Sequence, residues 1–281
     1  MIFALILSFF FNVSDSAFVK DKEVDGFTNA VSMTVDGKGF IYVLDKDRNE
    51  IYKLDSNLNL VKKAGGKGWT SGLFDSPTYI DASSGLDIIV SDGNNYRVQR
   101  LDLNLAFISE LKTDQPTFLS ELQFRTPIAS IVVNASDLYI VDDENKRVVI
   151  FPRGFEPSNS FGGFNSPKGR LTEPVKIAKD GDNLIYLLDK GTNSIKVYDN
   201  FGTYVKEIKP DKVLSFSIYS GVVYIFDGSK VYTYIINSGS FRDIIELETP
   251  SNKNNITDFL VYNSNKYLLL EKNKLSLLIN K

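Results

Sequence analysis

The stretch that decides the fold is IYVLDKDRNEIYKLD, residues 41–55, in which two short apolar segments flank a polar turn. Short segments rich in Val, Ile and Tyr on either side of a polar turn predict a β-hairpin. Close copies of this stretch are DIIVSDGNNYRVQRLD (87–102), LYIVDDENKRVVIF (138–151) and IYLLDKGTNSIKVYD (185–199). Two looser copies are VYIFDGSKVYTYI (223–235) and YLLLEKNKLSLLI (267–279). The hairpin is therefore one copy of a repeated unit.

An acidic residue closes the first strand of each copy and sets the period of the repeat. These residues are Asp45, Asp92, Asp142, Asp189, Asp227 and Glu271, and the gaps between them are 47, 50, 47, 38 and 44 residues. A period of about 45 residues built from short strands predicts a β-propeller, with one four-stranded sheet, or blade, in each period. We therefore expect an all-β fold, a six-bladed β-propeller of four-stranded antiparallel blades.

The two ends of the chain predict how the ring closes. The sixth unit stops after KLSLLIN (274–280), one strand short, whereas FVKDKEV (18–24) precedes the first unit and belongs to none. Pairing 18–24 beside 274–280 would complete the last blade and remove an exposed sheet edge. We expect the N-terminal strand to close the propeller.

The repeated aspartate has two possible roles. At the junction of strand and turn its carboxylate can accept hydrogen bonds from backbone N–H groups, with Asn or Gly supplying the unusual backbone angles. Six acidic residues on one face could also form a ring that holds a ligand. Turn chemistry is the simpler interpretation.

Composition excludes several kinds of chemistry. The chain has 281 residues, 32 basic and 35 acidic, with a net charge of −3, which gives no long-range attraction to nucleic acid. It has no cysteine and no histidine. Disulfides, thiolate nucleophiles, imidazole bases and histidine-ligated metals are therefore excluded.

The N-terminus predicts export. An apolar run covers residues 2–11 and is followed by a polar stretch with small residues, as in a secretory signal peptide cleaved after Ser16 or Ala17. The run is too short to span a bilayer, so stable membrane insertion is not expected. No Lys or Arg precedes it, and a buried first strand is the alternative. We predict a leader over 1–17, one propeller domain over 18–281, and a secreted or periplasmic, cell-envelope location.

The connections between units carry a family resemblance. Each of the first units has a Gly-rich linker, then Phe or Leu, Pro, an inner strand, an IYVxD-like strand and a polar turn, most clearly in GGKGWTSGLFDSPTYIDASSGLDIIVSDGNNYRVQRLD (65–102). This pattern resembles the NHL repeat. The likeness is clear in units one to four and holds only in outline in units five and six. It implies a propeller fold but no single activity, because NHL-type propellers include protein-binding, RNA-binding and catalytic members.

The long linkers supply the candidate binding residues. In propellers of this type the linkers share a face with the turns that follow the repeated Asp. The predicted binding residues on this face are Trp69, Phe74, Phe124, Arg125, Lys168 and Arg170. Exposed Trp and Arg are frequent anchors of interfaces. Phe74, Phe124 and Leu171 can instead fill the gaps between blades, as the Phe or Leu of the repeat does.

Catalytic and metal sites find less support in the sequence. DKDRNE (45–50) and DDENKR (142–147) cluster carboxylates but alternate them with basic residues and lack the pattern of an EF-hand. Among related six-bladed families, the amidating lyase binds metal through His, which this chain lacks. The calcium-dependent lactonases place Glu, Asn and Asp in the central channel, where this chain offers Asn29, Asp81 and Thr257.

The sequence thus predicts an exported, NHL-like propeller that acts as a non-catalytic binding or scaffold module for a protein or a cell-surface glycan. No cofactor, bound metal or nucleic-acid partner is expected, and the oligomeric state is open. The alternative is a calcium-assisted hydrolase or lactonase with its site in the central channel.

Overall fold

A computed structural model describes residues 12–112, 122–134, 136–154, 156–247 and 252–280. The 24 strands of this part of the chain are joined by turns and by short 3-10 segments. The predicted leader lies outside the described residues over 1–11, whereas residues 12–17 form the beginning of the first strand, β1.

Four sheets are separate, four-stranded and antiparallel, and each is built in chain order. Blade 1 comprises β2 (Ala30–Val35), β3 (Ile41–Asp45), β4 (Glu50–Leu54) and β5 (Leu60–Gly65). Blade 2 comprises β6 (Pro77–Asp81), β7 (Asp87–Asp92), β8 (Arg97–Asp102) and β9 (Phe107–Lys112). Blade 3 comprises β10 (Pro127–Val133), β11 (Asp137–Asp142), β12 (Arg147–Phe151) and β13 (Asn159–Phe161). Blade 4 comprises β14 (Pro174–Lys179), β15 (Ile185–Asp189), β16 (Ser194–Tyr198) and β17 (Tyr204–Ile208).

The remaining strands form one eight-stranded sheet in the order β18-β19-β20-β21-β1-β24-β23-β22. One half comprises β18 (Ser215–Tyr219), β19 (Val222–Phe226), β20 (Lys230–Ile235) and β21 (Ser240–Leu247). The other comprises β22 (Ile256–Asn263), β23 (Lys266–Glu271), β24 (Lys274–Asn280) and β1 (Asn12–Asp25). The sequence places strands from both ends of the chain side by side in this sheet.

The chain is thus an all-β propeller, but the prediction of six separate blades needs correction. The structure has four separate blades and one eight-stranded sheet. The physical reason is the length of β1, which pairs antiparallel with β24 over its second part and parallel with β21 over its first part. The predicted pairing of 18–24 with 274–280 is confirmed by this register, in which Phe18 lies opposite Asn280 and Val24 opposite Leu275.

The second strand of each blade is apolar on both sides because each side packs against a different neighbour. In β3, Ile41 and Val43 contact a core that includes Leu268 of the eight-stranded sheet. Tyr42 and Leu44 contact a core that continues into blade 2. A sheet covered on both faces requires a nearly continuous apolar strand, which explains the run IYVLD.

Phe18 fastens β1 to the core. Its ring is 3% exposed and stacks on Tyr267, with 4.0 Å between centroids and 5° between planes. The same cluster contains Leu247 of β21 and Leu278 of β24, so Phe18 lies where the two halves of the eight-stranded sheet meet.

The common direction of the inner strands defines two faces. The linker face carries the connections between sheets, including 66–76, 122–126 and 162–173. The opposite face carries the turns between first and second strands, including 36–40, 82–86 and 180–184. Within the described part of the chain, no helix has the length and apolar character needed to cross a membrane.

We expect Phe18→Ala to lower the free energy of unfolding by about 3–5 kcal/mol, because a buried ring is lost and a cavity remains. Chemical denaturation measures the change. Phe201→Ala is the matched control, since Phe201 is 73% exposed and its loss should change stability by less than about 0.5 kcal/mol. Equal stability of the two variants would show that Phe18 does not secure the closure.

Candidate binding face and central channel

The repeated aspartates of blades 1 to 4 tie each hairpin to the linker that precedes it. All four of these residues, Asp45, Asp92, Asp142 and Asp189, are buried. Asp142 accepts hydrogen bonds from the backbone N–H groups of Arg125 and Thr126, both at 3.1 Å. Asp189 accepts equivalent bonds from Thr172 and Glu173, at 3.0 and 2.7 Å. The donors lie 17 and 16 residues before the acceptor, so the repeat period itself brings them together.

The last two copies use their acidic residue differently. Asp227 accepts hydrogen bonds from the N–H groups of Ser229 and Lys230 within its own turn, at 2.7 and 2.8 Å. Glu271 forms an ion pair with Lys274 at 3.3 Å. Each of the six carboxylates therefore has a hydrogen-bond or ion-pair partner in its own turn or in the adjoining linker. These contacts account for the repeated acidic residue without a ligand.

The linker between blades 1 and 2 is closed by its own backbone hydrogen bonds. The N–H of Phe74 donates to the carbonyl oxygen of Gly66 at 2.9 Å, and the N–H of Gly68 donates to that of Phe74 at 2.9 Å. Gly65 begins this loop with φ +111°, and a Cβ there would lie 2.5 Å from the carbonyl oxygen of Asn49. Glycine is thus required where the loop leaves the blade.

A buried arginine holds the same loop from below. The Arg97 side chain is 1% exposed and forms ion pairs with Asp92 at 2.8 Å and Glu110 at 2.7 Å. Its guanidinium also donates to the carbonyl oxygens of Trp69 at 2.6 Å and Leu73 at 2.7 Å. Because a guanidinium has five donors in a fixed plane, these bonds fix the position of the loop.

The loop presents Trp69 to solvent at its tip. Trp69 is 77% exposed, and Tyr96 on the neighbouring hairpin is 59% exposed. The side-chain amide of Asn95 donates to the carbonyl oxygen of Gly68 at 2.9 Å, which joins the two segments one residue away from each aromatic side chain. Tyr96 has φ +52°. Unlike Gly, a tyrosine in this conformation carries strain.

The linker between blades 3 and 4 presents a second exposed aromatic residue. Phe164 is 74% exposed, and the Arg170 guanidinium lies 4.2 Å from the centre of its ring. Lys168 is exposed on the same linker. Arg125 is also exposed but forms an ion pair with Glu144 at 2.9 Å.

Two of the predicted binding residues cannot meet a partner. Phe74 and Phe124 are both 0% exposed. Phe74 belongs to the core between blades 1 and 2, and Phe124 packs edge-on against Phe151 with 5.7 Å between centroids. They are corrected to packing residues, because the Phe of the repeat fills the gap between blades. Leu171 is buried in the same way.

The central channel is obstructed by side chains from its walls. Tyr79 of blade 2 reaches across to blade 4, where its hydroxyl donates to the carbonyl oxygen of Ile177 at 2.5 Å. The Lys176 ammonium lies 2.5 Å from the carboxylate of Asp258 in the eight-stranded sheet and 3.1 Å from the Ser215 hydroxyl. These contacts leave a cavity of about 110 Å³ on the linker face and one of about 200 Å³ on the opposite face, with Tyr79 and Lys176 lining both.

The cavity on the opposite face contains a buried carboxylate, Asp81. It is 6% exposed and accepts hydrogen bonds from the Ser83 hydroxyl at 3.0 Å and the Ser83 N–H at 3.3 Å. Burial raises its pKa to about 6, and the charge of Lys179 opposes that rise. Burial likewise raises the pKa of Tyr79 well above its ordinary value.

The ligands proposed for a calcium-dependent hydrolase do not converge. Asn29 lies on the linker face, where its side-chain amide donates to Asp47 at 3.0 Å. Asp81 lines the cavity at the other end of the channel from Thr257. No group of three or more carboxylate side chains suited to a metal ion occurs among the described residues. The clusters 45–50 and 142–147 are turns in which Asp45 and Asp142 already accept backbone hydrogen bonds.

Sequence reasoning missed the residues that organise these sites. Arg97, Tyr79 and the Lys176–Asp258 pair were not singled out. A signal for Arg97 was present, since a basic residue follows the repeated aspartate by five positions in both blade 2 and blade 3. No local pattern marks Tyr79 or Lys176, because each meets its partner across the channel.

No protein-family model and no curated protein matches this chain. Solved structures with a similar fold include a streptogramin B lyase, with a TM-score of 0.67 and 13% identity over 92% of this chain and 97% of that one. A selenomethionine-substituted virginiamycin B lyase from Staphylococcus aureus has a TM-score of 0.62 and 13% identity, over 92% of this chain and 98% of that one. A catalytically inactive histidine-to-alanine variant of that enzyme with quinupristin has a TM-score of 0.61 and 14% identity, over 89% of this chain and 80% of that one. At this identity the likeness shows the fold: the chain is a β-propeller.

Asp81→Asn should stabilise the protein at neutral pH and leave it unchanged in acid. Below the unfolded pKa of 3.8 both states bind the proton, so the side chains differ little. Between pH 3.8 and about 6 the unfolded carboxylate is ionised while the buried one keeps its proton, so the wild type progressively loses up to about 3 kcal/mol, and the loss is complete above the folded pKa.

The measurement is the free energy of unfolding of wild type and variant between pH 4 and 7.5. Asp55→Asn is the control of opposite sign, because hydrogen bonds from Asn59 lower the pKa of Asp55 and its replacement should destabilise at neutral pH. A constant difference between Asp81→Asn and wild type across this range would contradict the prediction.

Proposed function

We propose that this chain is an exported, non-catalytic propeller that binds a protein partner through its linker face. The observation that carries the proposal is Trp69, which is 77% exposed on a loop fixed by the buried Arg97. An aromatic side chain that stays in water contributes little to the free energy of folding. Because the loop is already fixed, it loses little conformational entropy when a partner binds. Trp is also the residue type most enriched among interface anchors.

The charges of this face indicate the chemistry of the partner. Lys67, Lys168 and Arg170 are exposed and have no carboxylate partner within the described part of the chain. Lys67 lies on the same linker as Trp69, and Lys168 and Arg170 lie on the same linker as Phe164, so each of these two linkers presents an exposed aromatic ring together with basic side chains. A protein segment that offers an apolar pocket flanked by carboxylates would complement this face. A cell-surface glycan stacking on the aromatic rings is the competing outcome.

The residues of the chain favour binding over catalysis. The neighbours in fold include lyases, and one of them is catalytically inactive when a histidine is replaced by alanine. This chain has no histidine, so chemistry that depends on an imidazole is not open to it. Its channel is crossed by the Tyr79–Ile177 hydrogen bond and by the Lys176–Asp258 pair. Asp81 and Thr257 line cavities at opposite ends of it, so the hydrolase alternative has no converging ligand set.

We also infer that the eight-stranded sheet counts as two blades that share β1, which makes the propeller six-bladed and NHL-like. Each half has the strand order of a separate blade. The six copies of the hairpin in the sequence support this count, and the Gly-rich linkers of the first units support the NHL likeness. Export rests on the N-terminal sequence alone, and intact mass of the native protein tests it by showing whether residues 1–16 are retained.

The double variant Trp69→Ala/Arg170→Ala should lose the partner while its melting temperature stays nearly unchanged. Wild type, this variant and Phe201→Ala, which removes an exposed ring from the opposite face, are immobilised and exposed to the native envelope fraction. A protein retained by wild type and Phe201→Ala and lost by the double variant is then purified and titrated. We expect its affinity to fall by about 1–4 kcal/mol.

Two outcomes would contradict the proposal. Equal retention by all three proteins would place binding elsewhere on the propeller. A glycan, with no protein, retained by wild type and lost by the double variant would replace the protein partner by a carbohydrate.

Tyr96→Asn should separate binding from stability. Asn occupies the corresponding turn position in blades 1 and 4, at Asn49 and Asn193, with the same positive φ. Removing the strain should raise the free energy of unfolding by about 1 kcal/mol, whereas loss of the ring should weaken binding to the identified partner by about 1–2 kcal/mol.

The matched control is Lys146→Asn, the same replacement at the corresponding position of blade 3, where φ is +49°. It should also stabilise the protein, and it should leave binding unchanged. If Tyr96→Asn binds as tightly as wild type, Tyr96 is not part of the binding face.

A further inference from the structure

The cavity on the opposite face is a small pocket with a closed floor. Its volume is about 200 Å³, and Tyr79 and Lys176 lie at its inner end. Because the Tyr79 hydroxyl is bonded to the carbonyl oxygen of Ile177 on the facing blade, the floor is held in place. The walls are mainly apolar side chains: Met33, Val35, Ile218, Leu260 and Val261.

Two opposite charges line this pocket from different blades. Asp81 lies two residues after Tyr79 on β6, and Lys179 lies two residues after Ile177 on β14. Since side chains two residues apart share one side of a strand, Asp81 and Lys179 occupy the next layer above the Tyr79–Ile177 hydrogen bond. They therefore border the same gap that Tyr79 spans below them.

Neither charge is neutralised by a direct contact. Asp81 accepts hydrogen bonds only from Ser83 among the described residues, and no ion pair joins it to Lys179. Lys179 is a partly buried residue, and its ammonium has no hydrogen bond or ion pair in the described part of the chain. Keeping a carboxylate 6% exposed without a cationic partner is unfavourable. The raised pKa of Asp81 expresses that cost, and such costs are concentrated at binding sites.

We propose that this pocket binds a small zwitterion, a free α-amino acid with an apolar side chain. The ligand ammonium would pair with Asp81, its carboxylate would pair with Lys179, and its side chain would contact Leu260 and the other apolar walls. Both charges of the protein are then matched by one molecule, and the apolar lining covers the remainder of it. This site is separate from the linker face and does not depend on the function proposed there.

The test is isothermal titration of the folded chain with glycine, L-valine and L-leucine at pH 7.5. We expect saturable binding that is tightest for an apolar side chain. L-leucinamide lacks the carboxylate and 4-methylpentanoate lacks the ammonium, so each should bind about tenfold more weakly or worse than L-leucine, as the loss of one charge-assisted contact predicts.

Variants assign the contacts. Asp81→Asn should weaken the binding of L-leucine, whereas the exposed control Lys38→Met should weaken it less. Asp81→Asn should change the binding of 4-methylpentanoate little. Lys179→Met should also weaken the binding of L-leucine, but it should change the binding of L-leucinamide little. Unchanged near-ultraviolet circular dichroism shows that each variant remains folded. No binding of any of the three amino acids by wild type, or binding of L-leucine that both variants retain in full, would overturn the proposal.

Discussion

A buried carboxylate must find its hydrogen-bond donors inside the protein, and blades 1 to 4 meet this requirement in the same way. The aspartate that ends the second strand accepts a backbone N–H group from the linker 17 residues earlier, as Asp92 does from Asp75. In blades 1, 3 and 4 it also accepts one from 16 residues earlier, as Asp189 does from Glu173. An unsatisfied buried carboxylate is far more costly than a lost neutral hydrogen bond. The linker is thereby forced back over its own blade, which creates the linker face.

This constraint leaves the outer part of each linker free to vary. In blade 2 the tie at Asp92 is extended by Arg97, which bonds to the same aspartate and to carbonyl oxygens of the loop above it. In blade 4 Lys196 has the corresponding role, since its ammonium bonds to Asp189 and to the carbonyl oxygen of Arg170. The loops that present Trp69 and Arg170 are therefore both anchored through a buried acid–base pair, while these two side chains remain exposed.

The sequence predicts the parts of this structure that depend on local repetition. The repeat period predicts the hairpins around Asp45 and Asp142 and the propeller fold. The need to pair an exposed sheet edge predicts the pairing of 18–24 with 274–280. The parallel pairing of β1 with β21 does not follow, because nothing in residues 12–17 indicates a second partner strand. For the site, Trp69 and Arg170 are exposed on their linkers, whereas Phe74 and Phe124 are buried. The repeat pattern offers the packing role for Phe74 and Phe124, whereas the exposure of Trp69 and Arg170 depends on how each loop folds, which the repeat pattern does not encode.

In the central channel the side-chain contacts join different blades, whereas the hairpin and linker contacts lie within one repeat. The inner strands of the channel come from separate blades, so their side chains meet only after the ring has closed, and no period in the sequence relates Lys176 to Asp258. Paired with each other and with Ser215, these two charges are matched inside the protein. One layer away Asp81 and Lys179 border the cavity without such a contact. The channel thus contains the Lys176–Asp258 ion pair, whose charges are matched within the protein, and the separate charges of Asp81 and Lys179, which are not. A small ligand that carries both charges can match Asp81 and Lys179.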